Sequence, residues 1–238
     1  MNAIEIKNLL KVYGTKKVVN SISLNVKEGS LFALLGVNGA GKTTTIRMLS
    51  GLTEISGGEA YILGKSVKND LEEVKKLINI SPQDTAVALN LTVKENLEFI
   101  ADIYNCDDKE EIKKIVEKFS LDEVLNTKAK TLSGGWQRRL SIAMALITKP
   151  EVLFLDEPTL GLDVLARREL WKIISSLKGK MTIVLTTHYM EEAENLSDSI
   201  AIMAKGEVKA CGTLEELKAL TKAKNLEEAF VKIVEGEK

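Results

Sequence analysis

The sequence predicts an α/β fold in which a parallel-sheet core carries an N-terminal antiparallel β layer and an inserted α-helical subdomain. Residues 34–47 read as a buried strand, a glycine-rich turn and a helix, and residues 152–155 and 182–187 are short apolar runs typical of buried parallel strands. Residues 84–150 instead show helical periodicity almost throughout. We therefore expect a single domain divided into residues 1–83 and 151–212 as the α/β core, residues 84–150 as the helical subdomain and residues 213–238 as C-terminal helices.

The composition excludes several classes of protein. The 33 basic and 34 acidic residues of this 238-residue chain give a net charge of -1, so we expect no nucleic-acid partner. No apolar run approaches the roughly 18 residues that span a bilayer, and the N-terminus lacks the layout of a signal peptide. These features favour a soluble, intracellular chain.

Cys106 and Cys211 lack the spacing of a metal site, so we expect ordinary reduced thiols.

The N-terminal layer is predicted from alternation. Apolar residues recur with a period of two at Ile4 and Ile6, and again at Ile22, Leu24 and Val26. This period is typical of a strand with one solvated face, so we expect antiparallel strands here.

Tyr13 lies between these strands on a turn, upstream of the glycine-rich segment. An aromatic ring in such a position could stack on a purine base or pack against the protein. The residues alone leave both interpretations open.

The segment that follows contains G-x-x-x-x-G-K-T at Gly36, Gly41, Lys42 and Thr43, the pattern of a phosphate-binding loop. Glycines let backbone N–H groups curl around an anion, and the next helix directs its positive dipole end to the same point. Lys42 would reach the β- and γ-phosphates, and Thr43 would hold Mg²⁺.

The chain then continues through alternating elements. Residues 42–50 should be a helix stopped by Gly51, residues 59–63 a strand and residues 71–78 an amphipathic helix. A short strand should end at Gln83.

The helical subdomain begins with a capping box formed by Thr92 and Glu95. Residues 108–119 have one apolar face and many charges elsewhere, which predicts a solvated amphipathic helix.

The LSGGW sequence at residues 132–136 predicts a second anion site. Ser133 should be the N-cap of the next helix, and Gly134 and Gly135 leave the N–H groups of its first turn bare. Because one nucleotide rarely needs two such sites in one domain, this site indicates a second copy of the chain.

Two carboxylates follow the strand at residues 152–155. Asp156 and Glu157 should stand at the carboxyl edge of a parallel sheet, where ligands bind. Asp156 could coordinate Mg²⁺, and Glu157 could orient or deprotonate an attacking water.

His188, the one histidine in the chain, ends the strand at residues 182–187. In register with Asp156 at the same edge, it is predicted to contact a phosphate. A hairpin at residues 199–210, a capping box at Thr213 and Glu216 and an amphipathic C-terminal helix complete the chain.

Taken together, GVNGAGKTT, the Gln83 strand end, LSGGW, VLFLDEPT, GLD and TTH resemble the motifs of the nucleotide-binding domain of an ABC transporter ATPase. The resemblance covers essentially the whole chain. With its PQDTAVALNLTVKENL and LEEAFVKI segments, the chain closely resembles the single-cassette subunits of bacterial and archaeal exporters, whose permease is a separate polypeptide.

The resemblance implies the ABC ATPase fold, with a P-loop NTPase core, and ATP and Mg²⁺ as cofactors. It also implies a head-to-tail homodimer, or a heterodimer with a similar ATPase subunit, that holds two ATP molecules. Each ATP would lie between the phosphate loop of one copy and the signature sequence, LSGGW at residues 132–136, of the other. An integral membrane permease would be the further partner, and the chain would lie on the cytoplasmic face of the membrane.

By motif position, the resemblance also assigns residue roles. Gln83 would sense Mg²⁺ and the attacking water and link to the permease, and Asp163 would communicate across the dimer. The catalytic residues would be Glu157, His188, Gln83 and Lys42, and the metal ligands Thr43, Gln83 and Asp156. The nucleotide would be bound by Tyr13, which stacks on adenine, and by Gly36, Val37, Asn38, Gly39, Ala40, Gly41, Lys42, Thr43, Thr44, Ser133, Gly134, Gly135 and Asp163.

Two positions depart from the family pattern. Trp136 stands where the signature usually has glutamine, which should not abolish binding but leaves the contacts near the sugar open, and Val37 stands where proline is frequent. Two alternatives to a transporter ATPase remain: a soluble ABC ATPase without a permease, as in iron-sulfur assembly, and a nucleotide-binding switch that scarcely hydrolyses.

Overall fold

Two β sheets organise the structure, a computed structural model that describes residues 1–106 and 108–236. The smaller sheet has the order β2-β1-β4-β5 and is antiparallel. Ile4 of the first strand pairs with Val26 on one side and with Ile62 on the other, which confirms the predicted N-terminal layer. Its strands are β1 (Asn2–Tyr13), β2 (Lys16–Lys27), β4 (Gly57–Ile62) and β5 (Lys65–Ser66).

The larger sheet has six strands in the order β10-β9-β3-β8-β7-β6. Five of them run parallel, and β10 pairs antiparallel with β9 as the predicted hairpin. The strands are β3 (Leu31–Leu35), β6 (Ile78–Ser81), β7 (Val152–Asp156), β8 (Thr182–Thr187), β9 (Ser199–Ala204) and β10 (Glu207–Gly212).

The helices confirm most of the periodic segments. Both capping boxes are present, at Thr92 with Glu95 and at Thr213 with Glu216. The helices are α1 (Lys42–Leu49), α2 (Leu71–Leu77), α3 (Val93–Tyr104), α4 (Lys109–Lys118), α5 (Gly134–Leu146), α6 (Val164–Ser175), α7 (Met190–Leu196), α8 (Leu214–Thr221) and α9 (Leu226–Glu235). None of them combines the length and the hydropathy that a membrane crossing requires, within the residues that the structure describes.

The prediction of almost continuous helix over residues 84–150 is wrong at residues 120–133, which contain only the short 3-10 turns Leu121–Val124 and Ala129–Thr131, and at residues 84–92, which form a loop. The buried side chain of Asn96 explains this loop: its Oδ1 accepts from the N–H of Ala88 at 2.7 Å, and its Nδ2 donates to the carbonyl of Ala88 at 3.1 Å. An amide side chain that satisfies the backbone in this way competes with helix formation. The division of the chain into core, helical and C-terminal parts stays a prediction.

The faces of the large sheet build two hydrophobic cores. Alternate residues of β3 point to opposite faces: Leu31 and Leu35 pack with the helices α3–α9, and Phe32 and Leu34 face the antiparallel sheet. Because both faces are covered, the central strands are apolar throughout, and polar residues appear where the strands end.

Candidate functional site

The carboxyl ends of β3, β8 and β7 lie side by side in the large sheet. The loop after β3 and the residues that follow β7 and β8 therefore meet at one edge, as predicted. They surround a cavity of about 300 Å³ lined by Val18, Asn38, Gly39, Ala40, Gly41, Lys42, Thr43, Thr44, Gln83, Glu157, Leu160 and His188.

The loop between β3 and α1 needs glycine at two positions. A Cβ atom on Gly36 would lie 2.4 Å from the carbonyl oxygen of Met203, and Gly41 has a φ of +105°. The first N–H groups of α1 have no partner within the helix and no side chain caps them, and the residues that carry them line the cavity. This arrangement favours an anion.

Lys42 is buried at the start of α1. Its Nζ atom donates to the carbonyl oxygen of Gly36 at 2.7 Å and lies 3.1 Å from Oε1 of Glu157. The ammonium group is thus fixed at the loop, beside a carboxylate.

Asp156 is held from two sides. Its Oδ1 accepts from the hydroxyl of Thr43 at 3.0 Å and from the hydroxyl of Thr186 at 2.5 Å. Carboxylate and hydroxyl oxygens are the donors that suit Mg²⁺, which takes one or two protein groups and completes its shell with water and phosphate. The donor set of Thr43 and Asp156 therefore fits a magnesium ion.

Glu157 has a left-handed backbone with a φ of 48°. This conformation is uncommon for a residue other than glycine, and the N–H of Glu157 is held by the carbonyl of Thr186 at 3.2 Å and by its hydroxyl at 3.0 Å. The side chain contacts Lys42 through Oε1, and its Oε2 lies 2.8 Å from Nδ1 of His188. Glu157 thus joins the lysine to the histidine.

Gln83 lines the cavity, and the structure reveals a supporting residue that the sequence did not indicate. Arg138 of α5 is buried, and its guanidinium donates to the carbonyls of Pro82 at 2.6 Å and Gln83 at 2.5 Å. Burial lowers the pKa of Arg138, and the charges of Asp156, Asp84 and Glu192 oppose this. β6 ends at Ser81, two residues before the predicted strand end at Gln83, and Arg138 ties α5 to the residues that follow this strand.

The predicted signature residues lie outside this cavity. Ser133, Gly135 and Asp163 line another cavity of about 520 Å³ between α5 and α6. Ser133 is the N-cap of α5, but its hydroxyl makes no capping bond. Asp163 caps α6 by accepting from the N–H groups of Leu165 and Ala166. The two groups of predicted nucleotide contacts are therefore separate within one chain.

Trp136 packs beside this second cavity. The guanidinium carbon of Arg139 lies 4.7 Å from the centre of the indole ring, and Arg139 forms an ion pair with Glu169 of α6. These contacts fix the orientation of the ring at the N-terminal end of α5.

Tyr13 is not among the residues that line the cavity at Lys42. It is half exposed, and the Nζ atom of Lys11 lies 4.8 Å from its ring centre. Gly134 is exposed at the start of α5. The predicted roles of these residues in binding a nucleotide stay predictions.

Comparisons with known proteins agree with the geometry. The sequence model of the family described as ABC transporter matches residues 19–160. Phospholipid-transporting ATPase ABCA3 from Homo sapiens is 44% identical over 217 residues, covering 88% of this chain and 13% of that protein. ABC transporter A family member 9 from Arabidopsis thaliana is 41% identical over an alignment that covers 91% of this chain and 25% of that protein. The chain thus spans a minor part of the length of these relatives.

A solved structure described as "Structure of ATP binding subunit of ABC transporter" is 30% identical, with a TM-score of 0.86. The match covers 97% of this chain and 99% of that one. A nucleotide-free ATP-binding cassette from an ABC transporter is 25% identical over 98% of both chains, with a TM-score of 0.83.

Proposed function

The chain belongs to the ABC transporter family, and on that premise we propose that it binds MgATP and hydrolyses it to drive a membrane permease. One observation carries the proposal. Lys42, Glu157 and His188 converge beside a helix start that has bare N–H groups. This arrangement suits phosphoryl transfer to water, because the reaction depends on positioning and on charge stabilisation.

Each residue then has a defined role. The loop and helix start at residues 36–44, with the ammonium group of Lys42, bind the phosphates. Thr43 and Asp156, with Gln83, hold Mg²⁺, which neutralises phosphate charge when it is bound. Glu157 accepts a proton from the attacking water, and His188 contacts the γ-phosphate while its hydrogen bond to Glu157 orients that carboxylate.

The second cavity supports a head-to-tail dimer. Ser133, Gly135 and Asp163 line a space other than the one that contains Lys42. An anion site at the start of α5 would therefore serve the nucleotide of another copy, so that two copies enclose two ATP molecules. Tyr13 would stack on adenine from outside the phosphate cavity.

A permease partner is supported by the match to an ATP-binding subunit over 99% of that chain. On the likeness of its sequence to exporter subunits, we propose that the chain acts in export, on the cytoplasmic face of a membrane.

The experiment that tests hydrolysis replaces Glu157 with Gln. We expect kcat to fall by about 10²–10⁴-fold, because the general base is lost, and the Kd for ATP to change by less than about threefold, because the phosphate contacts remain. Glu191→Gln, the same change at an exposed residue of α7, is the matched control and should leave kcat unchanged. Undiminished hydrolysis by Glu157→Gln would overturn the role of Glu157.

The dimer is tested by light scattering of the Glu157→Gln variant with saturating MgATP. We expect a dimer, and we expect Ser133→Arg in the same background to remain monomeric because the long side chain fills the second cavity. A monomer in both cases would refute the composite site. Recovery of no integral membrane protein with the chain from detergent-solubilised membranes would instead favour a soluble ABC ATPase.

A further inference from the structure

Glu192 is a wholly buried acidic residue that the proposed chemistry does not use. It lies on α7, the helix that begins two residues after His188, and its exposed fraction is 0%. A buried carboxyl group costs free energy unless it has hydrogen-bond partners. The hydrogen-bond partners of Glu192 therefore indicate the role of this buried side chain.

Oε1 of Glu192 accepts two hydrogen bonds from different parts of the chain. The hydroxyl of Thr159 donates at 2.9 Å, and the indole Nε1 of Trp171 donates at 3.2 Å. Thr159 follows Glu157 by two residues, and Trp171 belongs to α6. The carboxyl group thus joins the turn after β7 to α7 and α6.

The surroundings favour the neutral form of this carboxyl group. Burial raises the pKa of Glu192, and the donor groups of Thr187, Thr159 and Trp171 oppose the rise only in part. Oε2 is buried without a hydrogen-bond partner among the described residues, so an ionised carboxylate would be poorly solvated there. A neutral acid can still accept both observed hydrogen bonds through Oε1.

Glu192 links the two segments that carry Glu157 and His188. Its hydrogen-bond partner Thr159 follows Glu157 by two residues, and its own helix α7 begins two residues after His188. We propose that Glu192 is a positioning residue: through Thr159 it fixes α7 against the turn after β7 and so maintains the 2.8 Å contact between Glu157 and His188. This inference rests on the proposed function, because that contact matters for turnover only if Glu157 is the base.

The test compares three single substitutions. Glu192→Gln keeps a neutral acceptor for Thr159 and Trp171. Glu192→Leu has a similar volume but no acceptor. Trp171→Phe is the matched control, because it removes one donor to the same oxygen and leaves the Thr159 bond intact.

Kinetics separate positioning from general destabilisation. For Glu192→Leu we expect kcat to fall more than about tenfold, because small displacements of reacting groups are costly, with KM and the Kd for ATP within about threefold. Glu192→Gln and Trp171→Phe should keep kcat within about threefold of the parent chain, although Trp171→Phe should lower the Tm. A loss of kcat that follows the Tm across all three variants would overturn the inference.

A second measurement does not depend on hydrolysis. Because His188 is the one histidine in the chain, its ring resonances can be followed by NMR in the untagged protein. Glu192→Leu should shift them toward their position in Glu157→Gln, and Trp171→Phe should shift them much less. Unchanged resonances in Glu192→Leu would refute the positioning role. If the parent chain hydrolyses no more ATP than Glu157→Gln, the proposed function fails, and the NMR comparison still decides whether Glu192 maintains the contact.

Discussion

Lys42 and Glu157 form an ion pair in which Nζ lies 3.1 Å from Oε1, and the two side chains are only 5% and 6% exposed. Glu157 also contacts His188 through its other oxygen. Since a phosphate group would offer Lys42 a competing anion, ligand binding and the ion pair are linked. The contribution of this ion pair to the free energy of unfolding should therefore be measured without nucleotide.

The first prediction concerns the coupling between these two residues. Lys42→Met leaves the buried carboxylate of Glu157 without its main counter-charge and should lower the free energy of unfolding by about 3 kcal/mol or more. The double variant Lys42→Met/Glu157→Gln removes both charges, so its loss should fall short of the sum of the single losses by about 1–3 kcal/mol. Urea unfolding without nucleotide measures all three. Strict additivity would show that the pair contributes no coupling.

The second prediction concerns Arg138, whose guanidinium bonds the carbonyls of Pro82 and Gln83. Arg138→Met should lower the free energy of unfolding by about 2 kcal/mol, because two charge-assisted hydrogen bonds are lost while Gln83 can still be hydrated. Arg138→Lys should recover only part of this, since an ammonium group lacks the planar fork. Arg168→Met, at an exposed arginine of α6, is the control and should cost less than about 0.5 kcal/mol. Equal losses of unfolding free energy in Arg138→Met and Arg168→Met would contradict a supporting role for Arg138.

The third prediction uses Trp136 as a reporter of dimer formation. The sequence contains two tryptophans, so in a Trp171→Phe/Glu157→Gln background the emission comes from Trp136 alone. Because Trp136 borders the cavity that contains Ser133, MgATP should change its emission in a manner that depends on protein concentration. Adding Ser133→Arg should abolish the change. A response that is independent of protein concentration would mean that the nucleotide reaches Trp136 within one chain.

The fourth prediction follows from the raised pKa of Glu192. Below the unfolded-state value of 4.5, the carboxyl is protonated in both states. As the pH rises above that value the unfolded state ionises first, so the parent chain loses stability until the pH passes the raised pKa of the folded state. Glu192→Gln does not titrate. Its stability relative to the parent chain should therefore increase with pH over this window, by up to about 1.4 kcal/mol per pH unit.

Urea unfolding of both proteins from about pH 5 to about pH 8 measures this difference. The charges that bear on Glu192 are those of Glu157, which raises its pKa, and of Arg138, whose own pKa it raises. A difference between the two proteins that does not vary with pH would contradict a raised pKa.

The parts of the fold that the sequence predicted are those set by local chemistry. The capping boxes at Thr92 and Thr213 and the apolar runs of β7 and β8 confirm this, because hydrogen bonds between residues three apart and continuous apolar composition are visible in one segment. The strand β5 was missed because two residues have no measurable period. The helix α7 was also missed, although Met190, Ala193 and Leu196 have helical spacing.

The candidate site also contains residues that the sequence predicts and residues that only the structure reveals. The gathering of Lys42, Glu157 and His188 at one sheet edge follows from motif and topology, and the structure has these residues in contact. Arg138 and Glu192 could not be predicted, because nothing in the sequence distinguishes Arg138 from the adjacent Arg139, or Glu192 from the adjacent Glu191. Only the packing decides which of two charged neighbours is buried.

A single oxygen atom contacts both acidic residues at the end of β7. The hydroxyl of Thr186 donates its one proton to Asp156 and accepts the N–H of Glu157 with one of its two lone pairs. The two acids therefore cannot be tuned independently by a change at this threonine. A substitution at Thr186, in evolution or in the laboratory, therefore changes the surroundings of Asp156 and Glu157 together. A change that affects only one of the two acids must occur at another position.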